Sequence, residues 1–351
     1  MLDAGGGDAA DAAPIDGEAF AEGGALPPAE AERLHALGAG SGCSTVTQPD
    51  LSLVQRGMLS SDSADRGWAY LAVEKLARCP GLLDRQFVDA VFSQMLAAAG
   101  SADLERARFA ARGLGALSSY TDLLVANQVS QAYGLAVASL ASSDIEVRGI
   151  GLGLLGELLR QLDAAQMYEA FQLLFAEFEA WDQSYSGSWN EFAAMVIAPE
   201  STPELRFQSS SVRVLLESCR YVQDPSQAAA AYLVVVSAMN QGKLEVFALP
   251  AVAGLGRVLP EPERSQAVDS IIAALSSQTA WYSVGSGIIR PANYANDALL
   301  IIEPWLDRAE IQRALDAIQS QAGLPDYAAV FASTVELLNR RLAESPVDAG
   351  A

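Results

Sequence analysis

Every 41 residues an aspartate recurs in the first half of this 351-residue chain: Asp62, Asp103 and Asp144. The residues that follow each aspartate keep the same register, and self-similarity at a fixed period of this length is typical of stacked repeat proteins. A single unit of this size cannot bury its apolar face alone, so the period predicts several units stacked in one array.

Apolar residues inside each repeat form two stripes at helical spacing, one at i, i+5 and i+8 and the other at i, i+4, i+8 and i+11. The pattern predicts two amphipathic helices per repeat, joined by a short turn. The equivalent residues of the first stripe are Trp68, Phe109 and Ile150, then Val73, Leu114 and Leu155, then Leu76, Leu117 and Leu158. Those of the second stripe are Val88, Val129 and Ala170, then Phe92, Tyr133 and Leu174, then Leu96, Val137 and Phe178, then Ala99, Leu140 and Trp181.

Helix-start signals support these boundaries. Ser143 precedes Glu146 by three residues and Ser201 precedes Glu204 by three, so both pairs are candidate capping boxes, the second with Pro203 in its first turn. Weaker copies continue downstream to the helix "PDYAAVFASTVELLNRRLAE". The sequence therefore predicts an all-α fold of six helix pairs and a terminal helix.

The stretch "SSDIEVRGIGLGLLGELL", with Asp144, Val147-Arg148 and Leu155-Gly156, resembles the bacterial HEAT repeat D-x-x-V-R-x-x-A-x-x-x-L-G, and "ADLERARFAARGLGAL" resembles a degenerate copy. This resemblance to the armadillo-like family covers about residues 51 to 340 as architecture. It implies a right-handed α-solenoid of about six helix pairs, with Asp and Arg side chains bridging within or between repeats. The 41-residue unit and two insertions depart from the family.

Composition divides the chain into three parts. Residues 1–50 are rich in Gly, Ala, Asp and Pro, which predicts a flexible arm, with a short helix at "PPAEAERLHAL". We expect the α-solenoid to span residues 51–343 and a disordered tail to span 344–351.

Charge limits the partners. There are 22 Lys and Arg against 43 Asp and Glu, a net charge of -21. This field repels phosphate backbones and anionic membranes, so we expect no nucleic acid and no membrane insertion. The expected partner is a protein or peptide of basic or mixed charge.

Three cysteines, Cys43, Cys79 and Cys219, are widely spaced, have no C-x-x-C pair and have no histidine neighbour. We expect neither a disulfide framework nor a structural zinc site. The residues after Met1 lack the basic and apolar regions of a secretory signal, so the expected location is the cytoplasm. The alternative is an exported protein whose signal has been removed, with the arm as a tether.

Gly151, Gly153 and Gly156 match the dinucleotide-binding spacing G-x-G-x-x-G. That motif needs a strand before it and a helix that starts within it, whereas here the predicted helix starts upstream. The preceding repeat has Ala110, Arg112 and Gly115 at these positions. We interpret the glycines as points of close helix packing and expect no cofactor.

Catalytic residue types are scarce. The only histidine, His35, lies in the predicted arm, and no Asp/Glu cluster has calcium-loop spacing. We therefore expect no catalytic site and no metal site, and the chain is predicted not to be an enzyme.

Two segments, 181–204 and 279–297, break the repeat register and open with "WDQSYSGSW" and "TAWYSVGSG". Aromatic loops of this kind are typical of protein recognition surfaces. The alternative is that the aromatic side chains fold back and fill the gap between adjacent repeats. For these aromatic residues taken together, we favour such packing over ligand contact. Trp181 aligns with core positions, so we expect it to be at least partly buried. The candidate partner-binding residues are Trp181, Tyr185, Trp189, Trp281, Tyr282 and Arg290.

These features predict a non-catalytic scaffold that binds a protein or peptide through a concave face and the two aromatic loops. A HEAT-like enzyme or small-molecule binder, like the lyases that attach bilin pigments, is one alternative. An exported surface binding protein is the other.

Overall fold

A computed structural model describes residues 24–40, 42–188, 191–192, 195–196, 198, 201–244, 248–276, 281–282, 288–289, 291–323 and 327–344. Within these ranges the fold is all-α, apart from two strands of two residues each. The first helices are α1 Pro28–Ala39, α2 Gln48–Met58, α3 Ser63–Ala77, α4 Arg85–Ala99, α5 Leu104–Tyr120, α6 Ala126–Leu140, α7 Ile145–Leu158 and α8 Ala164–Ser184. They are followed by α9 Pro203–Ser218, α10 Pro225–Asn240, α11 Leu249–Gly256, α12 Glu263–Leu275, α13 Pro291–Ile302, α14 Arg308–Gln319 and α15 Tyr327–Glu344.

The aspartates that recur in the sequence are helix N-caps. The Asp62 carboxylate accepts the N–H of Ala64 at 2.8 Å and so caps α3. Asp103 and Asp144 cap α5 and α7 in the same way. The 41-residue period therefore marks the start of the first helix in three consecutive repeats, because a carboxylate there satisfies a free N–H and complements the helix dipole.

Two predicted capping residues are one position too early. Asp144, and not Ser143, caps α7, with its carboxylate 2.8 Å from the N–H of Glu146. Thr202, and not Ser201, caps α9 by accepting the N–H of Leu205 at 3.3 Å. In both cases the side chain one residue later has the backbone geometry that reaches the first turn.

The predicted order of six helix pairs and a terminal helix is confirmed, from α3 and α4 to α13 and α14, with α15 last. The chain forms two compact units, residues 1–124 and 125–351. In unit 1, α3 packs against α1, α2 and α5, and α4 packs against α5. In unit 2, α9 packs against α7 and α8, and α13 packs against α11 and α12. Each unit thus has the consecutive helix packing of an α-solenoid, while the right-handed course of a continuous array over 51–343 stays a prediction.

Part of the predicted arm is folded. The expected short helix is present as α1, whose Leu34 and Leu37 are buried, so unit 1 includes residues that we assigned to a flexible segment. The Arg33 guanidinium donates to both oxygens of Asp50, at 2.7 and 2.8 Å. These bonds outweigh burial and hold the pKa of Asp50 at about 2. Two buried leucines and the Arg33–Asp50 pair thus help to dock a segment whose average composition is that of a linker.

Most residues of the two apolar stripes lie in the core as predicted, whereas Trp68, Phe109, Leu96, Val137 and Leu140 are only partly buried. Val73, Leu114 and Leu155 of the first stripe are buried in α3, α5 and α7. Val88 and Phe92 of the second stripe are buried in α4. Each helix therefore buries the face that its spacing assigns to the interior. No helix of the described residues is both long and apolar enough to cross a membrane.

Cys43 and Cys79 form a disulfide, which corrects the expectation of no disulfide. Their Cα atoms are 5.5 Å apart, and the bond joins the short 3-10 helix Cys43–Thr45 to the residue that follows the C-cap of α3. This pairing has no signature in the sequence, because the folding of residues 42–58 onto α3 brings the two cysteines together. Cys219 is a free, buried thiol, and burial raises its pKa.

The second insertion contains the two strands. β1 Trp281–Tyr282 pairs antiparallel with β2 Ile288–Ile289, with Trp281 opposite Ile289 and Tyr282 opposite Ile288. This ribbon is a small exception to the all-α prediction and lies inside an insertion, outside the helical repeats.

Gly151 lies at a close approach between α7 and α6. A Cβ there would lie 2.7 Å from both the Ala136 carbonyl oxygen and the Ser139 Cβ of α6. A Cβ on Gly153 would meet nothing within 4 Å, and one on Gly156 would lie 3.0 Å from Val214 Cγ2. All three glycines lie in α7; Gly151 and Gly156 are points of close packing, as we interpreted them, whereas Gly153 is exposed and does not serve packing.

The glycine pair gives a matched test. Gly151→Ala should lower the free energy of unfolding by at least about 2 kcal/mol, because the methyl group meets backbone that cannot move aside. Gly153→Ala should raise it by up to about 1 kcal/mol, since alanine favours the helix and its methyl group enters open space. Urea unfolding followed by circular dichroism measures both. Equal effects of the two substitutions would contradict this packing.

The disulfide gives a second test. Reduction should lower the stability of unit 1 by about 3 kcal/mol, because the unfolded chain regains the freedom of a long closed loop. Thermal unfolding of the intact chain with and without dithiothreitol measures the change. The double variant Cys43→Ser, Cys79→Ala is the control, and dithiothreitol should not change its midpoint of thermal unfolding. If dithiothreitol leaves the midpoint of the intact chain unchanged as well, the disulfide does not stabilise unit 1 and the prediction is wrong.

Candidate functional site

The first aromatic insertion begins with a packed cluster. Trp181, the fourth residue from the end of α8, is 1% exposed and contacts Phe178, Tyr185 and Phe192, with ring centroids 5.5, 5.8 and 5.7 Å away. Tyr185 and Phe192 complete the cluster at 5.0 Å. The indole is buried, as its alignment with core positions predicted. It has no surface to offer, and this removes Trp181 from the predicted partner contacts.

The residues after this cluster fold back on it. The Tyr185 hydroxyl donates to the Ser188 carbonyl at 3.0 Å, and burial raises the pKa of this half-buried phenol. The Lys243 ammonium donates to the carbonyl and the carboxylate of Asp182, at 2.6 and 2.7 Å. These bonds anchor the start of the insertion to the residues after α10.

The other predicted contact residues fall in different places. Trp189 and Arg290 lie outside the described residues. Trp281 and Tyr282 form β1 and pair with β2 through their backbone. The rings of Tyr185 and Trp181 are in contact.

Sequence reasoning missed an exposed arginine–aromatic pair in unit 2. Arg257, the C-cap of α11, places its Cζ 5.4 Å from the ring centroid of Trp305, in the 3-10 turn after α13. Trp305 is 45% exposed. The guanidinium of Arg257 donates to the carbonyls of Arg220 at 2.6 Å and Gly254 at 3.3 Å. These two bonds fix its position over the indole.

Three arginines surround a tyrosine beside this pair. Burial raises the pKa of Tyr221 and the Glu217 carboxylate adds to the shift, whereas the nearby charges of Arg220, Arg160 and Arg257 oppose it. Burial also lowers the pKa of Arg257. A partly desolvated guanidinium group such as that of Arg257 interacts more strongly with an added anion than a solvated one does.

A second arginine–aromatic pair lies in unit 1. Arg78 is the C-cap of α3, and its Cζ lies 5.2 Å from the ring centroid of Tyr120, the last residue of α5. Tyr120 is 55% exposed. In both units an arginine at the C-cap of the first helix of one pair thus lies over an aromatic ring near the C-terminal end of the first helix of the next pair, at its last residue for Tyr120 and in the 3-10 turn that follows it for Trp305.

The signal for these pairs was present but weak. Arg78 and Arg257 each follow a predicted first helix, where a cation complements the free carbonyls of the helix C-terminus. This capping role alone would account for an arginine at each position. Their aromatic partners come from the next repeat, and only the stacking of the repeats brings the side chains together. Exposed aromatic rings occur elsewhere without an arginine above them, as at Tyr168.

The residues considered for chemistry lie elsewhere. His35 is on α1, where its ring centroid is 3.9 Å from that of Trp68. Within the part of the chain that the structure describes, no three His, Cys, Asp or Glu side chains form a group that could hold a metal ion.

Comparisons with known proteins give no family. No family model matches the chain, and no curated protein matches it. A solved engineered protein from a structural genomics consortium is 15% identical, with a TM-score of 0.40, over 90% of this chain and 83% of that chain. A structure of microtubule polymerases with tumor overexpressed gene domain arrays, solved for tubulin recruitment and assembly, is 9% identical, with a TM-score of 0.25, over 92% of this chain and 82% of that chain. The fold assignment rests on the helices themselves and takes nothing from these two similarities.

Proposed function

We propose that this chain is a non-catalytic, HEAT-like scaffold that binds a protein or peptide. The observation that carries the proposal is the recurrence of an exposed arginine–aromatic pair, Arg78 with Tyr120 and Arg257 with Trp305, at the same repeat position in each unit. Tryptophan, tyrosine and arginine are the residues that contribute most binding energy at protein interfaces.

The fixed geometry of these pairs favours binding. An aromatic ring has few rotatable bonds, so a partner that covers it restricts little side-chain motion. The main-chain hydrogen bonds of Arg257 hold its guanidinium before a partner arrives. Recognition elements held in place in this way lose less conformational entropy on binding than mobile ones.

Overall charge shapes the choice of partner. The net charge of -21 attracts a protein of basic or mixed charge at long range, and added salt weakens that attraction. The concave face of the predicted solenoid, with Tyr185, Trp189, Trp281, Tyr282 and Arg290 of the aromatic loops, supplies further contacts in this proposal. The arginine–aromatic pairs are the part of it with the clearest geometry.

The test uses a partner captured from a lysate of the source cells and then purified. Tyr120→Ala and Trp305→Ala should each raise the Kd for that partner by about tenfold or more, because each removes the ring under an arginine. Isothermal titration calorimetry measures the Kd. Tyr168→Ala is the matched control, since Tyr168 is 49% exposed and no arginine in the described part of the chain lies over its ring.

The control decides the interpretation. A Tyr168→Ala change of less than about twofold, beside large losses for the other two variants, supports the proposed pairs. Equal loss in all three variants, or no loss in any of them, would refute them. If the intact chain captures no protein, the scaffold proposal fails and a small-molecule ligand becomes the next candidate, to be sought by native mass spectrometry.

We also propose that the chain works in an oxidising compartment, which is the exported alternative. The Cys43–Cys79 disulfide carries this proposal, because such bonds persist outside the reducing cytosol. Acid-quenched source cells, treated under denaturing conditions with a maleimide of high mass and no reductant, should show one modified thiol, that of Cys219. Full modification after reductant is the control, and three modified thiols without reductant would place the chain in a reducing compartment.

A further inference from the structure

A buried carboxylate in unit 1 is surrounded by three cations. The Glu74 side chain on α3 is 5% exposed. Its Oε1 lies 3.4 Å from the Lys75 ammonium and 3.1 Å from the Arg78 guanidinium. Its Oε2 lies 2.8 Å from the Arg112 guanidinium on α5. We call these four residues the Glu74 cluster.

The cluster carries more positive charge than burial of Glu74 requires. One cation is enough to neutralise one carboxylate, and Lys75 and Arg78 also complement the free carbonyls at the end of α3. Arg112 comes from a different helix and serves neither need once the other two are present. Among the described residues, Glu74 is the one carboxylate with which these three cations pair. The cluster therefore has three positive charges against one negative charge.

These cations remain accessible. The side chains of Lys75, Arg78 and Arg112 are 34%, 50% and 52% exposed, so their outer N–H groups face solvent. The Glu74 Oε1 atom accepts hydrogen bonds from Lys75 and Arg78, and Oε2 forms an ion pair with Arg112, so the three cations are held close to one buried carboxylate. Tyr120, under Arg78, adds an exposed aromatic surface at the edge of the cluster.

We infer that the Glu74 cluster is the part of the scaffold that binds an acidic segment of the partner protein. The inference rests on the proposed function and names the chemistry of one of its contacts. Two guanidinium groups present the forked donors that match carboxylates, and the ammonium supplies a third positive charge. Such a segment pairs its carboxylates with these cations and lays its apolar groups on Tyr120.

A protein segment fits this surface better than a nucleic acid does. The excess charge is local, and the chain as a whole carries a charge of -21, which repels a long polyanion beyond the first contacts. A short acidic segment covers the cluster and leaves the rest of the acidic surface uncovered. A partner of mixed charge has basic groups that the overall negative charge of the chain attracts and an acidic segment that the Glu74 cluster binds.

The first test uses the full chain and a fluorescent hexaglutamate peptide. Fluorescence anisotropy at low ionic strength should show binding that weakens as salt rises. The double variant Arg78→Gln, Arg112→Gln should raise the Kd by about tenfold, through loss of two charge pairs. Arg56→Gln is the matched control, because its side chain is 52% exposed and pairs with the single carboxylate of Glu30. It should change the Kd by less than about twofold.

A second variant keeps the charge. Arg78→Lys, Arg112→Lys retains the positive charge but loses the forked donors, so it should bind hexaglutamate more tightly than the Gln variant and more weakly than the intact chain. Circular dichroism and the thermal midpoint identify any variant that fails to fold. Equal weakening by Arg56→Gln would show that net charge alone acts, and this would overturn the inference.

Two probes separate this inference from other outcomes. A hexaglutamine peptide should not bind, and a single-stranded hexanucleotide should bind more weakly than hexaglutamate. A hexanucleotide that binds as tightly would make the cluster a general polyanion site and overturn the inference. If hexaglutamate fails to bind while Tyr120→Ala still weakens the purified partner, the inference fails and the scaffold stands.

Discussion

The burial of one apolar stripe of each helix against its neighbours is the interaction on which the rest of this structure depends. The aspartate N-caps fix where a first helix begins, and this start decides which residues of the stripe face the interior. The fit is close enough at Gly151 that one added methyl group would touch backbone of the adjacent helix. The positions of the exposed side chains follow from this stacking, because each helix end is placed by the core beneath it.

The helical part of the fold was predictable for the same reason. A stripe of apolar residues and a capping aspartate are local signals, and the order of six helix pairs and a terminal helix could be read from them. The docking of α1 and α2 onto α3 could not be predicted from the sequence in this way. It depends on Leu34, Leu37 and the Arg33–Asp50 pair, which lie in a segment whose average composition is that of a linker. The Cys43–Cys79 bond is a consequence of that docking and was equally hidden.

The candidate contacts show a similar division. Aromatic residues in the insertions stood out in the sequence because they break the repeat, but breaking the repeat also creates a gap that something must fill. Trp181 fills such a gap and is buried. Tyr120 and Trp305 end ordinary helices and attract no attention in the sequence, and their arginines come from a different helix pair. A surface built across two repeats has no signature within either one.

Local and overall charge have different roles in a chain of this kind. The acidic surface sets the long-range field, which decays over about 10 Å at moderate salt and therefore selects partners before contact. Direct contacts act at hydrogen-bonding distance, where the three cations around Glu74 outweigh the distant acids. A buried carboxylate that holds exposed guanidinium groups also lowers their conformational freedom, so the entropy that a partner would otherwise have to overcome is lost during folding. The solenoid thus keeps a positively charged contact point on an acidic protein by using its own core to hold it.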